Sequence, residues 1–261
     1  MMINRISKKI KLILLDQIVY FYYTAKPHYI NPLHFFRIIN EKRSLRDLIN
    51  INGGELYDYI KPALEKSSST GCEYSDYLSI WNDLNVKKPK VILECGSGIT
   101  TIIFAYYAKI QETKEKIQII SLEENDKYYK DILKIFPNDL KKHAEFLLRN
   151  RCERYYNSFL GSYYENIPNI AFDYIFIDGP TDKINIFDKT SPKSFNADII
   201  NLLLENDLTL SGLLDQRIYS LRKLRKLIPK ASFKYSVVKK LTYFDKLKKS
   251  DILGLIEIND V

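Results

Sequence analysis

The segment that most constrains the fold of this chain runs from Val91 to Thr101 and reads Val-Ile-Leu-Glu-Cys-Gly-Ser-Gly-Ile-Thr-Thr. Apolar residues lead into an acid, a Gly-x-Gly turn follows, and apolar residues at helical density come next. This order predicts a buried strand, a tight loop and a helix start, the mononucleotide-binding half of an open α/β sheet. A side chain at Gly96 or Gly98 would keep the loop backbone away from a ligand. The third glycine of a dinucleotide fingerprint would fall at position 101, where Thr101 stands.

Later strands follow in order, and several of them end in an acid. The predicted second strand, Lys116 to Leu122, is closed by Glu123 and Glu124. An acid at this place in a parallel sheet can accept both hydroxyls of a ribose. Glu123 is the first candidate for that contact and Glu124 the second. The alternative is that both carboxylates belong to a solvated helix start.

Two further predicted strands also end in polar residues. Phe172 to Ile177 is stopped by Asp178-Gly-Pro, and Leu208 to Leu214 is followed by Asp215 and Gln216. The carboxyl ends of parallel strands meet at one edge of a sheet, where ligands bind. We therefore expect these side chains to lie near the glycine loop.

The other predicted elements alternate between strands and helices, which favours a doubly wound α/β fold. The remaining strands are Ala144 to Leu148, Phe233 to Val238 and Ile252 to Ile258; the helices are Tyr74 to Leu84, Thr101 to Ile110, Asn125 to Ile135, Ala197 to Glu205 and Ser220 to Leu227.

At these residues the chain resembles the class I S-adenosylmethionine (SAM)-dependent methyltransferases. Their first motif is a strand ending in Asp/Glu-x-Gly-x-Gly, matched here by Glu94, Gly96 and Gly98. The Phe-Ile-Asp-Gly ending at Asp178 resembles small-molecule O-methyltransferases and relatives near sugar-modifying enzymes. The resemblance implies a Rossmann-like, mostly parallel seven-stranded sheet whose last two strands form an antiparallel pair. It assigns residues 71–261 to the SAM-binding domain and leaves 1–70 as an N-terminal helical extension.

The resemblance also implies a set of cofactor-binding residues. Glu94 is expected to orient the glycine loop and to meet the methionine ammonium group directly or through water, and Glu123 to hold the ribose. The whole predicted set is Glu94, Cys95, Gly96, Ser97, Gly98, Thr100, Glu123 and Asp178.

Asp178 is the predicted catalytic residue. Methyl transfer to oxygen requires removal of a proton, by a carboxylate base or by a metal that lowers the pKa of the acceptor. With Asp215 and Gln216 it resembles the Mg²⁺ site of catechol-type methyltransferases, which use an Asp-Asn pair after the fifth strand. Gln216 departs from that pattern, and Lys183 lies five residues beyond Asp178, not three. A metal site, a metal-free base and a residue that only borders the cofactor remain three alternatives.

The cysteine content, the net charge and the absence of several motifs limit the kind of protein that this chain can be. The cysteines Cys72, Cys95 and Cys152 are odd in number and far apart, so a reducing, cytoplasmic compartment is expected. The formal charge is +8, but the lysines are spread along the chain. This even distribution favours solvated helix faces over a nucleic-acid-binding surface. No Gly-x-Ser-x-Gly elbow, P-loop or metal-ligand spacing of histidines occurs.

The N-terminal segment carries apolar residues at helical spacing from Ile3 to Phe21, with basic residues among them. Such a helix can pack on the sheet, form a homo-oligomer contact, or bind the inner membrane surface peripherally. The apolar stretch from Leu12 to Tyr23 is too short to span a bilayer, and Asp16 interrupts it. Neither a signal peptide nor a spanning helix is expected. Ser67 to Gly71 is the predicted linker.

The sequence thus predicts a SAM-dependent methyltransferase acting on an oxygen of a small molecule or glycan unit. One alternative is a nicotinamide-dependent oxidoreductase, which shares the strand-loop-acid geometry but normally has the third glycine. The other is a non-catalytic Rossmann-like module that works through its basic N-terminal helix.

Overall fold

A computed structural model of the protein describes residues 32–67, 73–112, 116–182, 193–252, 254 and 256–261. The predicted helix at 3–21, most of the predicted linker, Cys72 and Lys183 lie outside these ranges.

Seven α-helices occur in the described ranges: α1 (Pro32–Ile49), α2 (Glu55–Lys66), α3 (Tyr74–Lys87), α4 (Ile99–Gln111), α5 (Asp126–Ile135), α6 (Asp198–Glu205) and α7 (Ile218–Leu227). The strands there are β1 (Val91–Cys95), β2 (Gln118–Glu123), β3 (Glu145–Leu148), β4 (Arg151–Tyr156), β5 (Phe159–Tyr164), β6 (Tyr174–Ile177), β7 (Phe195–Asn196), β8 (Leu210–Asp215), β9 (Phe233–Ser236), β10 (Leu241–Leu247) and β11 (Ile258–Asp260). Short 3-10 turns lie at Ile51–Gly54, Asn138–His143 and Lys249–Asp251.

The central sheet has seven strands in the order β3-β2-β1-β6-β8-β10-β9. Strand β10 runs antiparallel to both of its neighbours, whereas the pairs from β3 to β8 are parallel. The chain therefore crosses over on both sides of β1, which lies at the point where the strand order reverses. This confirms the predicted doubly wound, mostly parallel sheet.

Helices cover both faces of this sheet, which explains why its central strands are apolar throughout. Successive residues of a strand point to opposite faces. Leu93 accordingly belongs to the core beneath α6 and α7, and Ile92 to the core beneath α3 and α4. The second core also contains Leu56 of α2, so the described part of the N-terminal extension packs on the sheet's own helices.

The predicted seventh strand was wrong in position. The antiparallel strand of the sheet is β10, and among the described residues of the predicted segment only Ile258 enters a strand, β11, which pairs with β4 elsewhere. The strand between β8 and β9 needs residues that can be buried, and Leu241, Phe244 and Leu247 supply them. All residues of β11 are exposed.

A second sheet, which the sequence did not predict, has the order β11-β4-β5-β7. Strands β4 and β5 form a hairpin inserted between β3 and β6, and the two-residue β7 pairs parallel with β5. Tyr156 and Tyr164 anchor this sheet in the core beneath α6 and α7. The small sheet thereby places β5 directly beside the carboxyl edge of the central sheet.

No helix in the described part of the chain is both long enough and apolar enough to cross a membrane.

Candidate active site

A cleft of about 1020 Å³ opens at the carboxyl edge of β1, β2, β6 and β8. Its walls bring together most of the predicted site residues: Gly96, Ser97, Gly98, Glu123, Glu124, Asp178, Asp215 and Gln216. Glu94, Cys95 and Thr100 are not part of this lining. They lie buried beneath the glycine loop.

The structure explains the two glycines of the loop in different ways. Gly96 has φ +96°, and a β-carbon there would lie 2.7 Å from the backbone nitrogen of Gly179. It is needed because the loop after β6 approaches so closely. A β-carbon at Gly98 would meet nothing nearer than 3.9 Å. Since Gly98 also lines the cleft, the open space beside it is available to a ligand.

Glu94 holds the glycine loop to the start of α4. Its side chain is fully buried and accepts hydrogen bonds from the hydroxyls of Thr100, Thr101 and Ser121, the last two at 2.5 and 2.6 Å. Thr101 Oγ1 in turn accepts the N–H of Gly98 at 3.1 Å. Burial raises the pKa of Glu94 to about 7, against the lowering effect of the three hydroxyls.

Cys95 contributes packing at this place. It is fully buried at the end of β1, and burial raises the pKa of its thiol well above the usual value. A buried thiol with a raised pKa is a poor nucleophile.

Glu123 lies at the end of β2 with its carboxylate in the cleft wall. One oxygen accepts the backbone N–H groups of Glu124 and Asn125 at 3.0 and 2.8 Å, which fixes the side chain at the start of α5. The other oxygen is 3.3 Å from the Ser97 hydroxyl of the glycine loop. Burial raises the pKa of Glu123.

Asp178 and Asp215 form a carboxyl pair where β6 and β8 end. Burial, followed by the charge of Asp178, raises the pKa of Asp215 far above its usual range, and the two side chains are hydrogen-bonded. Asp76, at the start of α3, is buried beside them, and burial raises its pKa to about 7. The Asp178 side chain remains 31% exposed. The guanidinium of Arg217 lies 3.6 Å from the Asp178 carboxylate and offsets part of its negative charge.

A Mg²⁺ site is not supported by the arrangement of these side chains. In the described ranges, no three or more His, Cys, Asp and Glu side chains converge as metal ligands would. Gln216 has φ +38°, and its side-chain oxygen lies 3.5 Å from Lys240 Nζ.

Three residues that the sequence analysis missed hold the loop that follows Asp178. Arg217 donates to the backbone oxygens of Asp178 and Pro180, the latter at 2.9 Å. Asn196 of β7 donates to Gly179 O and Pro180 O at 3.0 and 2.8 Å. Arg151 of β4 reaches the oxygen of Thr181 at 3.0 Å. Arg217 directly follows Gln216 in the sequence. A cationic side chain so near two expected carboxylates was the feature that could have identified it as a site residue.

Two more polar residues of the cleft wall, Glu124 and Tyr164, were not recognised as a pair in the sequence analysis. Glu124 Oε1 accepts the N–H of Thr181 at 2.9 Å, whereas its Oε2 is buried without a partner among the described residues. The hydroxyl of Tyr164, on β5, is likewise buried and unpaired within the described ranges. Both residues line the cleft.

No protein-family model matches the sequence, and no functionally characterised protein matches it. In structure, the chain is similar to a Staphylococcus aureus protein provisionally assigned as a caffeoyl-CoA O-methyltransferase. The identity is 12% and the TM-score 0.50, over 80% of this chain and 99% of that one.

Two other solved structures that are similar contain S-adenosylhomocysteine (SAH). One is a Podospora anserina methyltransferase, with 14% identity and a TM-score of 0.45 over 74% of this chain and 88% of that one. The other is a Bacillus cereus O-methyltransferase, with 15% identity and a TM-score of 0.40 over 89% and 97%.

At these identities the similarity concerns the fold alone. The strand order and the Staphylococcus aureus structure together show that this chain has the Rossmann-like fold of class I SAM-dependent methyltransferases.

Proposed function

We propose that the protein is a SAM-dependent methyltransferase that transfers the methyl group to an oxygen of a small molecule or glycan unit. The observation that carries this proposal is one cleft at the sheet's reversal point, lined by the open face of Gly98 and the carboxylate of Glu123. Ligands of open α/β sheets bind at such a point.

The residues present fit this cofactor. Gly98 leaves room for it against the loop backbone, and Glu123 lines the cleft with a carboxylate that can accept ribose hydroxyls. Both Asp178 and Asp215 line the cleft, and Asp178 supplies negative charge for the cationic methionine portion. Because three hydroxyls bind the Glu94 carboxylate, we assign Glu94 to positioning the glycine loop. Bound SAM supplies a methyl group already activated on a sulfonium.

Asp178 is the proposed base. Asp215 keeps a proton at neutral pH because its pKa is raised, and it donates a hydrogen bond to Asp178. That leaves Asp178 as the charged and partly exposed member of the pair. Its carboxylate takes the proton of the acceptor hydroxyl, while Arg217 and Asn196 hold the loop that carries it. This assignment uses no metal, so activity is expected to be the same with Mg²⁺ and with EDTA.

Isothermal titration calorimetry with SAH, and with NADH as the comparison ligand, tests the function directly. Micromolar binding of SAH alone supports the proposal and leads to an acceptor screen. Binding of NADH alone moves the chain to the oxidoreductases. If folded protein binds neither ligand, the non-catalytic alternative replaces the proposal.

For the chain's organisation, we propose 1–70 as a helical extension and 71–261 as the SAM-binding domain. Co-sedimentation with anionic liposomes, with and without residues 1–24, tests a peripheral membrane role of the extension. Binding that is lost on truncation supports that role, and no binding by the full chain removes it.

A further inference from the structure

Helix α1 has an exposed face on which isoleucines and basic residues alternate. At 100° per residue, six of its side chains in the described range 36–49 lie on an arc of about 140°. We call this arc the outer face, and its residues are Ile38, Ile39, Lys42, Arg43, Arg46 and Ile49. All six are exposed, the three isoleucines to 42, 40 and 42% in chain order. No acidic residue of the range 36–49 lies on this arc.

The opposite face holds α1 on the protein. Leu48 is fully buried in the core beneath α3 and α4, and Glu41 accepts the backbone N–H of Ser75 at 3.2 Å. Arg37 forms an ion pair with Glu73, the residue before α3. These contacts fix the rotation of α1 about its own axis, so the outer face points away from the core.

The composition of the outer face matches that of a lipid surface. Single exposed isoleucines are ordinary, whereas three on one face with cations between them form a pattern. At a membrane interface the apolar side chains enter the boundary of the acyl chains. Lysine and arginine lay their stems along such apolar side chains and extend their charged ends to anionic headgroups.

Two other kinds of partner fit this face less well. A second copy of the chain would cover the isoleucines, but a symmetric contact would bring the same cations face to face. A nucleic acid would pair with the cations through its phosphates and leave the isoleucines in water. The nearest acid, Asp47, lies 3.9 Å from Arg46 Nε in an exposed pair that contributes little, so the positive charge of the face remains.

The outer face begins close to the candidate active site. Lys240 Nζ lies 3.5 Å from a carboxylate oxygen of Glu73 and 3.5 Å from the side-chain oxygen of Gln216, which lines the cleft. Lys240 therefore joins the partner of Arg37 to the cleft wall, and Ile38 directly follows Arg37. A surface bound by this end of α1 lies near the cleft.

We propose that the outer face of α1 binds an anionic lipid surface. The predicted basic helix from Ile3 to Phe21 precedes α1 in the chain and adds to the same attraction, but the inference concerns α1 itself. It goes beyond the proposed function and does not depend on it.

Co-sedimentation of the full chain with phosphatidylcholine vesicles, prepared with and without phosphatidylserine, tests the inference. The wild type is expected to bind only the vesicles that contain phosphatidylserine. Raising the salt concentration should weaken this binding, because it screens the attraction between exposed charges.

The first variant removes the charge of the outer face and is Lys42→Gln/Arg43→Gln/Arg46→Gln. One cation beside an anionic membrane contributes about fivefold to the affinity, so this variant should bind at least about tenfold more weakly. The matched control, Lys127→Gln/Lys141→Gln/Lys234→Gln, removes the same charge from exposed positions of α5, a 3-10 turn and β9. Its affinity should stay within about threefold of the wild type.

The second variant, Ile38→Gln/Ile39→Gln, keeps the charge and removes apolar area. It should bind the same vesicles at least about fivefold more weakly. Its melting temperature should match that of the wild type, because both positions are exposed. This variant decides the inference even if the charge variant does not fold.

Absence of wild-type binding to the phosphatidylserine vesicles overturns the inference. Unchanged binding in both α1 variants overturns it as well, and so does an equal loss in the control variant. Two further results would assign the outer face to another partner and overturn it: a dimer in sedimentation velocity that Ile38→Gln/Ile39→Gln dissociates, or binding of duplex DNA that only the charge variant loses. Each of these results leaves the proposed function standing, because SAH binding tests that function separately.

Discussion

Thr101→Val is the sharpest perturbation of the glycine loop that the structure offers. Thr101 is fully buried, and its hydroxyl donates to Glu94 Oε2 at 2.5 Å while accepting the Gly98 N–H at 3.1 Å. Valine has nearly the same shape but lacks the hydroxyl, so the change removes both bonds with little disturbance of the packing.

The expected cost depends on pH through the charge of Glu94. Burial raises its pKa from 4.5 to about 7. Between these values the folded protein keeps a proton that the unfolded chain has lost, so the free energy of unfolding falls as the pH rises through this window. Thr101 counteracts this loss because its hydroxyl favours the charged carboxylate.

At pH 5.5 Glu94 is mostly protonated, and Thr101→Val should cost about 2 kcal/mol: about 1 for a neutral hydrogen bond and about 1 for the capping bond to Gly98. At pH 8.5 the lost bond is one to a charged group, worth about 1.5–3 kcal/mol. With the capping bond, the total cost there should be about 3 kcal/mol.

Urea unfolding of both proteins at the two pH values measures this difference. Thr101→Ser keeps the hydroxyl and serves as the control, with a smaller cost that changes little with pH. A Thr101→Val cost that is equal at both pH values, or larger at pH 5.5, would refute this account of Glu94.

Further predictions concern the cleft. Glu123→Ala should weaken SAH binding by roughly 1.5–3 kcal/mol, the scale of hydrogen bonds to a charged group; unchanged calorimetric affinity would move the ribose contact elsewhere. Gly96→Ala should unfold the protein or lower its melting temperature strongly, because φ is +96° and the neighbouring loop leaves no room. Gly98→Ala should leave the melting temperature nearly unchanged and weaken SAH binding; a loss of stability with intact binding would contradict the ligand role of Gly98. The ammonium group of SAH should lower the raised pKa of Asp215, so binding should release protons and strengthen as the pH rises from 6 to 8; titrations in phosphate and Tris, which differ in ionisation enthalpy, measure the release, and equal apparent enthalpies would argue against a cation beside the pair.

The central sheet was predictable from sequence because each of its main strands is a short apolar run with a distinct end. Val91 to Cys95 runs into a glycine loop, and Tyr174 to Ile177 stops at Asp-Gly-Pro. Burial on both faces requires such runs, so the fold class could be predicted from them.

The second sheet could not be read in the same way. Its strand β4, Arg-Cys-Glu-Arg-Tyr-Tyr, is half-exposed and largely polar, and β7 has only two residues. Such strands are specified by their partners and not by a pattern of their own. The position of β10 was missed for a related reason, because the exposed Asp245 and Lys246 interrupt an otherwise mostly buried strand and make it resemble a loop.

Within the site, the sequence located the acids but not the reason for each glycine or the residues that hold the loops. Gly96 was expected to lie against a ligand, and the structure shows the Asp178–Gly179 backbone there instead. Arg151, Asn196 and Arg217 come from separate strands and the start of a helix. Contacts between residues so far apart in sequence depend on the tertiary fold, which no local motif encodes.

Arg217 has a thermodynamic consequence for how two ligands share the cleft. Arg217 is the residue immediately before α7, and this helix lines one side of the cleft with Ile218, Tyr219 and Arg222. Arg217 also donates hydrogen bonds to the carbonyl oxygens of the loop that carries Asp178. A molecule that shifts the start of α7 is therefore expected to shift that loop as well. The same loop packs against Gly96, so the glycine turn would be affected too. By reciprocity, whatever factor the first ligand imposes on the affinity of the second, the second imposes on the first. Cofactor and acceptor are thus expected to change each other's affinity by the same factor, and Arg217→Lys should bring that factor closer to one.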